Sequence, residues 1–114
     1  MERTSSFALQ VIYLWQKLPH RTDAAVLGKQ LLRSATSVGA NYRSACHAKS
    51  RADFFSKIKI CEEEADESEY WLELMVKGGI VQEHTVAALY RESHELASIF
   101  ASIAKSLHAN TKNG

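Results

Sequence analysis

From Asp53 to Val76 the apolar and small side chains fall on Phe54, Ile58, Cys61, Ala65, Ser68, Leu72 and Met75. Steps of four and three alternate without a break, which is a heptad seam. No Gly or Pro interrupts the stretch. The pattern predicts one long helix packed against other helices. Ser50 suits its cap, Asp53 places a negative charge in its first turn, and Gly78-Gly79 ends it.

Three more stretches carry the same period. Phe7, Val11, Leu14 and Leu18 form a seam from about Ser5 to Lys17, widened by Ala8, Ile12 and Trp15. Ser5 or Ser6 can cap this helix, and Pro19 stops it by disfavouring helical geometry in the residue before it. A second helix starts at Thr22 or Asp23, both good caps, and runs to about Ala48. One of its seams is Ala24, Leu27, Leu31, Ser34, Val38, Asn41 and Ala45; the other is Gly28, Leu32, Ala35, Gly39, Tyr42 and Cys46. The two lie about 100° apart, and a face so wide touches more than one neighbour. Gly28 and Gly39 each cost roughly 1 kcal/mol of helix propensity relative to Ala. With small Ala35 between them, they predict close approach of another helix or an aromatic ring. A fourth helix, from about His84 or Thr85 to about Leu107, carries Val86, Leu89, Ser93, Leu96, Phe100, Ile103 and Leu107. The tail from about residue 108 reads as frayed. Four amphipathic helices with short joints predict one all-α domain over residues 1–114, an antiparallel up-down-up-down four-helix bundle.

The short joint between helices two and three predicts a tight antiparallel hairpin. Equal rise on both helices places residues level when their numbers sum to roughly 99. Arg33 then lies level with Asp66 and its neighbours, Gly28 with Trp71, and Asn41 with Ile58. Cys46 and Cys61 fall about 12 Å out of level, too far for a disulfide.

Composition sharpens this in one respect. Net charge is +1, so bulk charge argues for neither nucleic acid nor membrane. Yet residues 20–51 carry a net +5 and residues 52–76 a net −6. A basic segment followed by an acidic one points to ion pairing within a subunit or between subunits. Lys29 and Arg33 are the expected cations, with Glu62, Asp66 or Glu69 as their partners. No run of 18 apolar residues and no secretory h-region is present, and the chain has two cysteines. A cytoplasmic protein with no membrane partner is the expectation.

Candidate chemistry is sparse. Di-iron bundles use Glu-x-x-His pairs, but the residues three before His20, His47, His84, His94 and His108 are Lys17, Ser44, Val81, Arg91 and Lys105. The carboxylate run Glu62-Glu63-Glu64, Asp66, Glu67 and Glu69 reads as a solvated or ion-paired face. Cys46-His47 and Cys61 lack zinc spacing, and both cysteines fall on apolar seams as small core residues. No Gly-rich phosphate loop precedes a helix. Neither enzyme, cofactor, metal nor small-molecule substrate is expected. Ser34 and Asn41 are polar residues on a seam, where such residues fix register or oligomer state. Trp71 joins them as a candidate interface or network residue, and Trp15, Tyr42 and Tyr70 are further core or interface anchors. Lys29, Arg33, Arg43, Lys49 and Arg51 are candidate phosphate contacts.

Three runs carry a family likeness. They are Val26-Leu27-Gly28-Lys29-Gln30-Leu31-Leu32-Arg33-Ser34-Ala35-Thr36-Ser37-Val38-Gly39-Ala40-Asn41-Tyr42, Ala52-Asp53-Phe54-Phe55-Ser56-Lys57, and Glu64-Ala65-Asp66-Glu67-Ser68-Glu69-Tyr70-Trp71-Leu72-Glu73-Leu74. Together they resemble the small bacterial four-helix-bundle proteins first noticed in intervening sequences of large-subunit ribosomal RNA genes, some of which carry ribosomal-protein names. The likeness extends from about Phe7 to Ala104. It implies a non-enzymatic protein, similar in fold to the basic pentameric accessory protein of diversity-generating retroelements, which binds nucleic acid. It therefore implies a homo-oligomer, a ring of five bundles, with RNA or DNA as an alternative partner. The near-neutral charge of this chain departs from that strongly basic relative.

Overall fold

Four helices follow one another in the computed structural model, which describes the backbone of residues 2–113 and the side chains to His108. They are α1 (Glu2–Gln16), α2 (Thr22–Cys46), α3 (Arg51–Lys77) and α4 (Glu83–Asn113). No strand occurs among the described residues, and the protein is an all-α four-helix bundle. It measures 52 × 22 × 22 Å. Each helix packs on its chain neighbours and α1 also meets α4, so the four stand at the corners of a square.

The seam of α3 sets the core. Ile58, Cys61, Ala65, Ser68, Leu72 and Met75 are all fully buried. On α2 the first seam turns toward α3, and its Ala24, Leu31, Ser34, Val38 and Ala45 are buried. The second seam turns toward α1. A Cβ on Gly28 would lie 2.7 Å from Leu18 Cδ1 and 2.8 Å from the Trp15 ring. The close ring is therefore Trp15, not the level Trp71. Gly39 faces Thr4 at ordinary distances, 3.5 Å to its Oγ1, so space does not demand glycine there. These two contacts also fix α1 antiparallel to α2.

Helix ends differ in how they are capped. Ser50 caps α3, its side chain accepting from Asp53 N at 3.0 Å, while Asp53 Oδ2 accepts from Lys49 N at 3.3 Å. At the other end Gly79 has φ +73°, Gly79 N donates to Val76 O, and Ile80 N donates to Met75 O. That pair of bonds is a Schellman ending. Neither Thr22 nor Asp23 caps α2. The N-cap is Arg21, whose side chain makes no cap bond; the Asp23 carboxylate, inside the first turn, binds the Arg21 guanidinium at 2.6 and 3.0 Å and its Oδ1 also accepts from Ala24 N at 2.8 Å. That hydrogen bond from Arg21 holds the Asp23 carboxyl below its usual value. Helix α1 begins at Glu2 rather than Ser5, and α2 ends at Cys46 rather than Ala48. Helix α4 continues to Asn113, since nothing between Leu107 and Asn113 breaks a helix. The tail expected to fray from about residue 108 is helical in its backbone to Asn113, and Gly114 lies outside the described residues. Cys46 is exposed rather than core, because it closes α2 at the end of its seam; Cys61 is buried.

Candidate functional site

The carboxylates of α3 divide between its two flanks, and that division organises the surface. Glu64 and Glu67 lie toward α2. Arg33 reaches across and donates to Glu64 Oε2 at 2.8 Å and to Glu67 Oε1 at 2.6 Å. The Trp71 indole donates to the same Glu67 oxygen at 3.2 Å. Burial pushes the Glu67 carboxyl up, but the hydrogen bonds from Arg33 and Trp71 outweigh it and hold the group below its usual value. The Glu67 hydrogen bond in turn raises the Arg33 guanidinium. Expected partners Glu62, Asp66 and Glu69 do not take part. The antiparallel register is as expected, but a level residue can lie on the wrong side of its helix, and Asp66 does.

Beneath this clamp the Ser34 and Ser68 hydroxyls meet at 2.8 Å, both fully buried. Whichever donates across, the other has a carbonyl of its own helix, Leu31 or Glu64, as acceptor. Ser34 therefore ties α2 to α3. Asn41 does not: its Nδ2 donates to Ser37 O and Ser37 Oγ at 2.9 Å, within α2.

On the other flank of α3, Glu62, Asp66, Glu69 and Glu73 repeat at steps of four, three and four. With Glu63 and Tyr70, and with His94, Ala97, Ser98 and Ala101 of α4, they line an open groove of about 580 Å³. Glu69 meets His94 Nδ1 at 3.2 Å, and Glu62 and Glu73 meet Lys59 and Lys77 of their own helix. Glu63 and Asp66 make no ion pair among the described residues. The field is negative enough that the Glu69 charge, first among several causes, pushes the Tyr90 phenol above its usual value. Tyr70 and Tyr90 are 51 % and 37 % exposed beside these carboxylates.

The candidate phosphate contacts lie elsewhere. Lys29, Arg33, Thr36, Ala40 and Arg43 repeat at four, three, four and three along the exposed side of α2, opposite its buried seams. Arg33 is occupied by Glu64 and Glu67. The side chains of Lys29, Arg43, Lys49 and Arg51 form no ion pair among the described residues. In the square of helices, α2 stands away from the outer side of the α3–α4 pair, so Lys29 and Arg43 face away from the acidic groove of their own chain, whereas Arg91 of α4 stands beside Glu69 and His94.

Among the described residues no cluster of His, Cys, Asp and Glu is placed to hold a metal. Burial pushes the Cys61 thiol up to about 11, and it donates to Val38 O at 3.5 Å; a thiol so high is a packed side chain rather than a nucleophile. Among the described residues no helix is long and apolar enough to cross a membrane. Sequence reasoning missed Glu64 and Glu67 as the clamp, although Glu67 and Trp71 are one helical turn apart. It also missed Ala97, Ser98 and Ala101 as the groove's second wall.

The class defined so far is a four-helix bundle whose polar features are surfaces rather than a pocket of reacting groups. A family model of the 23S rRNA-intervening sequence proteins matches residues 1–102, and the chain belongs to that family. A solved structure from Bacteroides thetaiotaomicron, a protein of unknown function from the S23 ribosomal protein family, is 38% identical with a TM-score of 0.85. The match covers 91% of this chain and 96% of that one. No curated protein matches the chain.

Proposed function

We propose that this chain is a non-enzymatic assembly module that forms a ring-like homo-oligomer in the cytoplasm, five copies by its family resemblance. The observation that carries the reading is the pair of oppositely charged faces, each left with unpaired groups on separate sides of one chain. Complementary patches on different faces favour a head-to-tail contact, and such contacts close into rings when the rotation permits. A reducing compartment suits the two free thiols. Light scattering on a sizing column at micromolar concentration tests this reading. A mass of several 12.8 kDa chains is expected, and a monomer at physiological salt overturns it.

A second reading rests on Lys29, Arg43, Lys49 and Arg51, which form no ion pair among the described residues. Repeated around a ring, weak basic patches gain avidity for RNA or DNA. Fluorescence anisotropy with a labelled structured RNA tests it. Binding that weakens steeply with salt but survives near physiological strength supports this reading, and no binding at low salt rejects it.

A further inference from the structure

Resting on the assembly reading, the geometry points to one interface: the outer stripe of α2 from one copy seats in the α3–α4 groove of the next. Both surfaces run along helices with the same alternation of three and four residues, so one can lie along the other as a helix in a groove. Lys29 and Arg43 are fourteen residues apart, about 21 Å along α2. Glu62 and Glu73 are eleven apart, about 16 Å along α3. Flexible Lys and Arg side chains span the difference. Between the two cations the stripe carries Arg33, drawn onto Glu64 and Glu67, and then small Thr36 and Ala40; the far wall of the groove is His94 followed by small Ala97, Ser98 and Ala101. Small residues on both sides let the two backbones approach.

Charge names the occupant. Glu63 and Asp66 make no ion pair among the described residues, and neither do Lys29 and Arg43 on the stripe. A nucleic acid carries the groove's own sign and is repelled by it. Exposed aromatic residues flank the groove, Tyr70 and Tyr90, and exposed Val26 stands one turn before Lys29 on the stripe. Exposed aromatics are the usual anchors of a protein interface, where the partner desolvates them. Arg33 keeps its Glu64 and Glu67 partners throughout, so the stripe is held in place by its own hairpin. Lys49 and Arg51, near the α2–α3 turn, lie outside the contact.

Two reversals and their combination test the inference. Lys29→Glu with Arg43→Glu makes the stripe acidic; Glu63→Lys with Asp66→Lys makes the groove basic. Each pair alone is expected to run as a monomer by light scattering, with helicity by circular dichroism unchanged. The four substitutions together swap both charges and are expected to restore the wild-type mass. Pairs that keep the wild-type mass overturn the interface, and so does a folded quadruple variant that stays monomeric. If a reversal unfolds the chain, the neutral pairs Lys29→Gln with Arg43→Gln and Glu63→Gln with Asp66→Gln replace it. Loss of assembly in both is then expected, and its retention overturns the interface. A monomeric wild type instead defeats the assembly reading itself.

Discussion

Gly28 shows what one missing methyl group does in this bundle. A Cβ there would meet Leu18 Cδ1 at 2.7 Å and the Trp15 ring at 2.8 Å. Alanine gains roughly 1 kcal/mol of helix propensity, but overpacking a tight contact costs about 1–3 kcal/mol. Gly28→Ala is therefore expected to lower stability by up to about 2 kcal/mol, read from the urea midpoint. A rise in the midpoint would mean that Trp15 turns aside without loss. The helix propensity sacrificed at Gly28 was legible in the sequence, and so was the kind of neighbour. Its identity was not, because the path of the joint from Lys17 to Arg21 decides which ring arrives. Arg33 gives the same lesson. Equal rise along two helices gives the height of its partners, not their bearing around α3. That is how Asp66 was favoured over Glu64 and Glu67.

At the scale of elements, local rules succeeded where the capping group was free to act. Ser50 accepts from Asp53 N, and the φ of Gly79 permits the turn that ends α3. They misplaced the start of α2: its N-cap is Arg21, which makes no side-chain cap bond, and Asp23, already inside the first turn, accepts from Ala24 N as well as from Arg21. Loss of a working cap costs about 1 kcal/mol. Ser50→Ala is thus expected to lower the thermal midpoint measurably, whereas Thr22→Ala leaves it nearly unchanged. Equal effects from the two would contradict the assigned caps. The double seam of α2 was the most informative pattern in the chain. It called for two neighbours, and α1 and α3 each take one side.

The molecule as a whole is a rod with its charges sorted by face. The sequence displayed this as a basic segment followed by an acidic one, but only the fold separates the carboxylates satisfied by Arg33 from those that line the α3–α4 groove. That sorting is what supports the proposed assembly, and the resemblance to ring-forming bundles points the same way. Electrostatic contacts at a surface weaken as salt shortens the screening length, from about 14 Å at 50 mM to about 4 Å at 500 mM. The measurement to make first is the light-scattering mass of the wild-type protein across that range at micromolar concentration. Several chains per particle at low and physiological salt, falling toward 12.8 kDa at the highest, is the expected result. A single chain at every salt concentration would contradict the account.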